Sequence, residues 1–321
     1  MSHKIGLIGA GAVGTSFVYS ALNQGLASEY VLIDAFPASA QGQALDLADT
    51  AATLPHPFAT VKAGDYKDLK DVDVLVITAG RPQKKIIDPK TKEERLETRL
   101  EMIAGNAVIM QSIATSVKKS GFKGITIIAS NPVDVLTRVY QEITGFDEHK
   151  VIGSGTTLDS SRLRRLIGEK INVNAQSINA HIIGEHGDSS VAVWSNATVF
   201  NQPITNYLKT GELAPIHKEA VNMAYKIIEL KKATFYGIGT ALARIVKAVL
   251  NNESQILVIG AKLSGQYGVK DVYIGVPAVV NKNGWEKIIE WKLDATEKTG
   301  FVNSAKALAS NFIEAKKALG K

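Results

Sequence analysis

Lys4-Ile-Gly-Leu-Ile-Gly9-Ala-Gly11-Ala-Val-Gly14, with Val31-Leu-Ile-Asp34 closing twenty residues after Gly14, is the stretch that decides the fold. Ile5, Leu7 and Ile8 make an apolar run of strand length; three glycines at G-x-G-x-x-G spacing follow at once, and residues 13–24 read as a helix. Each part has a physical job in a βαβ unit. Gly9 permits the tight turn, Gly11 lets the backbone approach a pyrophosphate, and Gly14 lets the helix pack close to the strand. The helix N-terminus offers unpaired N–H groups and a partial positive charge to phosphates. A glycine-rich turn that binds nothing is the alternative for the glycines alone. The strand before, the helix after and the acid at this distance point to a dinucleotide. Asp34 can accept hydrogen bonds from the ribose hydroxyls of an adenosine and would repel a 2′-phosphate. Ala35-Phe36 supplies no arginine to welcome one, so NAD is favoured over NADP.

Outward from this unit, strands and helices alternate. Gln41-Gly-Gln-Ala-Leu-Asp-Leu-Ala reads as a helix, Val61-Lys-Ala as a brief strand and Gly64-Asp-Tyr66 as a turn. Val72-Asp-Val-Leu-Val-Ile-Thr78 is a β-branched strand ending in Ala79-Gly80, and Gly124-Ile-Thr-Ile-Ile-Ala129 is another, closed by Ser130-Asn131-Pro132. Between them a long polar loop is expected from 81 to about 94, then a helix over 96–119. Its apolar positions Leu96, Leu100, Ile103, Val108, Ile109, Ile113 and Val117 recur near the helical period. Apolar strands separated by helices predict an α/β fold, a Rossmann-type doubly wound parallel sheet with ligands at the strands' C-terminal ends. Residues 1–150 are therefore expected to form the NAD-binding domain.

Residues 151–321 change character. A helix is expected over 158–171, and short strands over 177–183, 191–194, 255–259 and 272–280. Helices over 215–232 and 235–250 come between, Asn281-Lys-Asn-Gly284 has turn chemistry, and Asp294 caps a helix running to about 319. This half is expected to be a mixed α+β, substrate-binding domain, packed closely on the first because no flexible linker separates them.

With 321 residues the chain can bury a sizeable core, and 45% hydrophobic against 21% charged residues is the balance of an ordinary globular protein. The net charge of +6 is spread along the chain, which argues for a mildly cationic surface rather than a nucleic-acid patch. There is no cysteine, which excludes disulfides and thiolate chemistry. The chain enters a strand by Ile5, leaving no room for a signal peptide, and no apolar run reaches about eighteen residues. A soluble cytoplasmic protein is the expectation, with neither membrane nor nucleic acid as partner.

Among six histidines, the one in Gly184-Glu185-His186-Gly187-Asp188 stands out, because flanking glycines allow a ligand or another segment to come close. A histidine there can act as general acid or base, or it can be structural. A metal site is a poor reading: His181 and His186 are five apart, off one helical face and on opposite faces of a strand, and no cysteine assists. Asp159 and Arg162, three apart, share a face of the expected helix. An aspartate can hold an imidazole's tautomer, and an arginine's planar fork binds a carboxylate by two parallel hydrogen bonds. A solvated helix face with an intrahelical ion pair stays open as the alternative.

In this order along the chain, Gly9-Ala-Gly-Ala-Val-Gly14, Gly64-Asp-Tyr66, Ile77-Thr-Ala-Gly80, Ser130-Asn-Pro-Val-Asp134, Gly153-Ser-Gly-Thr-Thr-Leu-Asp159-Ser-Ser-Arg162 and Ile183-Gly-Glu-His186-Gly-Asp188 form a specific set. Through them the chain resembles, over nearly its whole length, the L-lactate/malate dehydrogenases and the related L-2-hydroxyisocaproate dehydrogenases. The resemblance implies an oxidoreductase that reduces a 2-oxo acid with NADH, assembled as a homotetramer or dimer. It implies that His186 is the proton donor and acceptor, Asp159 its carboxylate partner, and Arg162 the clamp on the substrate carboxylate. Arg99, seven residues before Asn106, falls at the mobile-loop arginine that polarises the carbonyl as charge develops on oxygen. Asn131 falls near nicotinamide and substrate, Thr234 in the substrate pocket, and Val13, Tyr66, Gly80 and Ser154, with Gly9, Gly11, Gly14 and Asp34, at cofactor positions.

The chain departs from the family pattern twice. Eighteen residues separate Gly80 from Arg99, about ten more than the resemblance leads one to expect, and the added segment is charged. The residue that selects the substrate side chain lies in this loop: glutamine for lactate, arginine for malate. Reading on from Gly80 puts Gln83 there; counting back from Arg99 puts Glu93 there. Neither pairs a second carboxylate, though Arg81 or Arg95 could if the register shifts. Pyruvate and lactate are the first expectation, bulkier 2-oxo acids the second and malate the third, with a non-catalytic NAD-binding protein as the rival outside the enzymes. Arg164 also matches an arginine that binds fructose 1,6-bisphosphate between subunits, but Asn179 stands where the partner histidine is expected, so activation by that ligand is doubtful.

Overall fold

The computed structural model describes residues 3–81, 85–88, 92–97 and 99–320, and residues 85, 95, 96, 99 and 100 by their backbone. Gln83 and the Arg95 and Arg99 side chains lie outside the described residues.

The opening stretch folds as β1 (Lys4–Ile8), α1 (Ala12–Asn23) and β2 (Glu29–Ile33). There follow α2 (Pro37–Ala48), β3 (Thr60–Ala63), β4 (Val74–Ile77), β5 (Lys85–Ile87), β6 (Glu94–Leu96), α3 (Arg99–Ser120), β7 (Ile125–Ile128), α4 (Val133–Thr144) and β8 (Val151–Gly153). The second half runs α5 (Thr157–Ile171), β9 (Ile178–Asn179), β10 (Ile182–Ile183), β11 (Val191–Ala192), β12 (Thr198–Val199) and β13 (Gln202–Pro203). It ends with α6 (Thr210–Lys231), α7 (Tyr236–Leu250), β14 (Gln255–Ser264), β15 (Lys270–Asn281), β16 (Gly284–Ile288) and α8 (Ala295–Ala318).

One nine-stranded sheet in the order β16-β15-β14-β8-β7-β4-β1-β2-β3 carries the molecule. Its last six strands pair in parallel. Val74–Ile77 and Ile125–Ile128 are buried at every position, as strands covered by helices on both faces must be. The chain reverses its winding between β1 and β4, so the ligand crevice of a doubly wound sheet opens at their C-terminal ends. Gly9, Asp34, Thr78–Gly80 and Ser154 each follow directly on such an end, and Ser130–Asn131 one residue further on.

The strands expected in the second half differ from prediction in a way that matters for the site. The sequence reading leaves these short strands without a sheet to join; β14, β15 and β16 extend the parallel sheet antiparallel to it. The seam is Gly260 opposite Gly153, where a Cβ on Gly153 would lie 3.3 Å from the Gly260 Cα; only two glycines let the backbones meet so closely. The strand expected over 177–183 splits into β9 and β10, which pair with different partners. A smaller apolar core lies between α5, α6 and β9–β12, around Leu163, Ile167, Ile182 and Ile216.

Two corrections concern helices and the long loop. α6 begins at Thr210, five residues before Pro215, because Glu212 accepts from the Lys209 N–H and starts the helix upstream. The expected polar loop after Gly80 contains the antiparallel hairpin β5–β6, with Ile86 opposite Arg95, and α3 starts at Arg99 rather than near Leu96.

Candidate active site

At the C-terminal end of β1, Gly9 has φ +102°, and a Cβ there would stand 2.5 Å from the Ala79 nitrogen, so the turn needs glycine on both counts. Its carbonyl accepts from the Thr78 hydroxyl at 2.7 Å. A Cβ on Gly14 would fall 2.1 Å from that carbonyl oxygen, which is how closely α1 sits on β1. A Cβ on Gly11 would meet nothing within 4 Å. The start of α1 thus presents free N–H groups beside open space, the arrangement a pyrophosphate needs. Asp34 closes the far side: Oδ2 accepts from the Ala10 N–H at 2.7 Å and Oδ1 from the Phe36 N–H at 2.9 Å. Those bonds fix the carboxylate's position, and each oxygen keeps a lone pair for a ribose hydroxyl. These residues fit the adenosine diphosphate half of NAD.

The other sequence-predicted cofactor positions are placed less uniformly. Val13 and Tyr66 are half-buried and pack on the core, and burial pushes the Tyr66 phenol up. Ser154 is buried, its N–H donating to the Ile128 carbonyl at 2.8 Å. Asn131 is exposed at the end of β7, followed by a cis peptide to Pro132. Thr234 is half-buried next to Phe235, whose carbonyl accepts from the Ser16 hydroxyl on α1 at 2.8 Å; α7 thereby lies across the cofactor helix.

His186 leaves β10 through Gly184 at φ +96°, and Gly184 bridges Gly275 on β15 by N–H to carbonyl bonds of 2.9 Å in both directions. The loop is therefore stitched to the main sheet. Its ring Nδ1 lies 2.6 Å from Asp159 Oδ2, while Asp159 Oδ1 lies 3.3 Å from Arg162 Nη1. An ionised carboxylate only accepts, so Nδ1 carries the proton and Nε2 is left for a substrate. The Asp159 and Arg162 side chains are about 90% covered, whereas His186 keeps 25% of its side chain open. The helix face is thus a buried one with a third partner, not a solvated face holding only an ion pair.

The electrostatics follow from the same contacts. Asp159 raises the His186 pKa, against burial, which lowers it; the Asp159 hydrogen bond and Asp134 add to the rise. Burial pushes Asp159 up, but His186, their hydrogen bond and Arg162 together hold it below the ordinary carboxylate range.

Two further groups, Asp134 and Asn106, had no role of their own in the sequence reading, and Arg81, read there as a possible cation for a second carboxylate, is engaged elsewhere. Asp134, in the first turn of α4 and 3% exposed, accepts the His186 N–H on Oδ2 at 2.9 Å. Asn106 donates from Nδ2 to the Asn131 carbonyl at 2.8 Å and accepts the Arg81 N–H on Oδ1 at 2.9 Å, tying the ends of β4 and β7 together. Arg81 pairs with Glu97 at 2.5 Å and donates to the Glu101 carbonyl, lying over Gly105, where a Cβ would be 2.4 Å from the guanidinium. The signal for Asp134 was a charge in an otherwise apolar run beside Asn131. For Asn106 it was an amide on the apolar face of α3.

The opposite face of α5, Thr157, Ser160, Ser161 and Arg164, lines a cleft of about 1050 Å³ that does not include His186. Asn179, Arg244 and His181 also line it. Asn179 Oδ1 meets His181 Nε2 at 2.7 Å, and burial pushes His181 down to about 4, so it is neutral at physiological pH.

Among known proteins, the family described as lactate/malate dehydrogenase, NAD binding domain, matches residues 3–153, and lactate/malate dehydrogenase, alpha/beta C-terminal domain, matches residues 156–319. The L-lactate dehydrogenase of Mycoplasma capricolum subsp. capricolum is 61% identical over 312 residues, covering 96% of this chain and 95% of that protein. L-lactate dehydrogenase 2 of Lactococcus lactis subsp. lactis is 47% identical over 313 residues, covering 96% of each. The crystal structure of the minor L-lactate dehydrogenase of Enterococcus mundtii in its ligands-bound form superposes with a TM-score of 0.92 at 41% identity, covering 97% of this chain and 98% of that one.

Proposed function

The chain belongs to the lactate/malate dehydrogenase family, and we propose that it is an NAD-dependent L-lactate dehydrogenase in which His186 moves the proton. The observation that carries the reading is the Arg162–Asp159–His186 row, with contacts of 3.3 and 2.6 Å and only the histidine open, at the C-terminal edge of a dinucleotide-binding sheet. The hydride that reduces C2 of pyruvate is supplied by bound NADH. His186, held protonated by Asp159, gives its Nε2 proton to the oxygen as negative charge grows there. Arg162 uses guanidinium donors not engaged by Asp159 to hold the substrate carboxylate in a fixed plane. Arg99, at the start of α3, polarises the carbonyl, and exclusion of water from the site strengthens every charge in it. Asn131 and Thr234 border the nicotinamide and substrate, and Gln83 selects against a second carboxylate.

Bulkier 2-oxo acids form the second reading, favoured by the added residues between Gly80 and Arg99. A cytoplasmic homo-oligomer, dimer or tetramer, is part of the same proposal. No helix among the described residues is long and apolar enough to cross a membrane. NADH absorbance followed with pyruvate, 2-oxoisocaproate, phenylpyruvate and oxaloacetate ranks the substrates. Near-normal pyruvate turnover in His186→Asn or Arg99→Gln would overturn the site assignment.

A further inference from the structure

Asp134 is connected to the site through the backbone rather than the ring. Its Oδ2 takes the His186 N–H across 52 residues of sequence, which ties the β7–α4 turn that carries Asn131 to the loop that carries His186. The carboxyl is fully buried, and Oδ1 has no hydrogen-bond partner among the described residues. A purely structural acceptor needs no charge: an asparagine or serine would accept that N–H without the cost of burying a carboxylate. The groups that face Asp134 are His186 and Glu185 on the loop and Asp159 on α5. One is a potential cation and two are acids, so the charge on Asp134 is worth most when His186 is protonated.

We propose that Asp134 is a positioning residue for His186 with two separable actions: its Oδ2 fixes the His186 peptide, and its negative charge favours the protonated imidazole. Asp159 and Asp134 then flank the histidine, one on the ring and one on the main chain. Burial pushes the Asp134 carboxyl up to about 7, against its bond to the His186 peptide and the His186 charge. Its charge therefore develops around neutrality, where it retards the loss of the His186 proton as the pH rises.

This inference rests on the assignment of His186 as proton donor, and its test needs no turnover. Histidine ring resonances of the full-length protein are titrated by nuclear magnetic resonance, with His186 identified by its loss in His186→Gln. Asp134→Asn keeps an oxygen for the peptide N–H and removes the charge. The expected result is a fall of about half a unit or more in the His186 pKa, with the alkaline limb of pyruvate kcat moving by the same amount and KM unchanged. Asp134→Ala, which loses the anchor as well, should also lower kcat at every pH. An unchanged His186 titration in Asp134→Asn overturns the electrostatic half, leaving Asp134 a structural anchor. In the unaltered protein, carbon-13 labelled aspartate should show one carboxyl titrating near neutrality, absent from the variant. If that carboxyl stays protonated throughout the range in which His186 titrates, Asp134 carries no charge there and the electrostatic action is wrong whether or not the variants fold.

Discussion

A pair of one-methyl substitutions separates what the first glycines do for the fold from what they do for the cofactor. In Gly14→Ala the new Cβ lies 2.1 Å from the Gly9 carbonyl oxygen, 2.8 Å from Thr78 Oγ1 and 2.9 Å from Leu7 Cδ2. An ordinary carbon–oxygen contact is about 3.2 Å, so α1 must retreat from β1 by about 1 Å, at a cost of about 1–3 kcal/mol for overpacking. In a chain this long that lowers the thermal midpoint by roughly 2–4 °C per kcal/mol. The retreat also carries the helix N-terminus away from the phosphates. Losing one charge-assisted hydrogen bond, about 1.5–3 kcal/mol, weakens NADH by roughly 10- to 100-fold. In Gly11→Ala the Cβ meets nothing within 4 Å, and the backbone, at φ −78° and ψ −174°, is one any residue adopts. That variant should melt with the parent yet bind NADH more weakly, because its methyl occupies the space left for the pyrophosphate. Differential scanning fluorimetry and NADH fluorescence titration read the two effects. Parental NADH affinity in Gly11→Ala would refute the placement of the cofactor, and a parental midpoint in Gly14→Ala would refute the packing argument.

Asp159→Asn should lower pyruvate turnover by about 10²- to 10⁴-fold, with the alkaline limb of the remaining activity shifted to lower pH, since Asp159 raises the His186 pKa above its ordinary 6.5. The same pair makes stability depend on pH: the His186 contribution is complete below 6.5 and lost as pH rises through its folded pKa. The Asp159 contribution is present above 3.8 and lost as pH falls through its lower folded value. Thermal midpoints across that range should therefore fall at both ends in the parent and vary less in the variant; parallel curves would count against the coupling. Arg81→Gln should leave the preference for pyruvate over oxaloacetate unchanged, because that guanidinium is engaged by Glu97 and the Glu101 carbonyl; a marked rise or fall in relative kcat/KM for oxaloacetate would place Arg81 in the substrate pocket. Fructose 1,6-bisphosphate should not lower the pyruvate KM, since Asn179 and a neutral His181 line the cleft beside Arg164; a large drop would contradict this.

The parallel half was legible because its strands are buried on both faces, so β4 and β7 read as unbroken apolar runs and the glycines mark the turn between β1 and α1. The hairpin β5–β6 was not legible. Three-residue strands in a run of alternating charge have no period to read, and no Asn-Gly or Gly-Gly turn sits between them. His186 stood out by its glycines, but a sequence window cannot show what its peptide touches: Asp134 is 52 residues away, and the Asn106 bridge to Asn131 spans 25. The way the second half joins the sheet was hidden for a related reason. Whether β14 pairs with β8 depends on two glycines 107 positions apart, Gly153 and Gly260, each unremarkable in its own surroundings.

The charges around His186 argue for a substrate with one carboxylate. Arg162 shares Asp159 with His186, and Arg81 is committed to Glu97. Glu185 and Asp134 lie beside His186, so the described side chains nearest the imidazole supply no surplus of positive charge. A monocarboxylate adds one negative charge, which on the proposed reading the free edge of Arg162 and Arg99 answer. A dicarboxylate adds a second, and desolvating it without a dedicated partner costs several kcal/mol on the order expected for an unpaired buried ion. On the proposed reading, selection against oxaloacetate has two sources, the neutral residue at position 83 and the prior engagement of Arg81. A new cation in the loop, with Glu97 kept so that Arg81 stays engaged, isolates the effect of position 83. Gln83→Arg alone should raise oxaloacetate kcat/KM relative to pyruvate, and a variant that stays indifferent to oxaloacetate would show that the selecting position lies elsewhere in the loop.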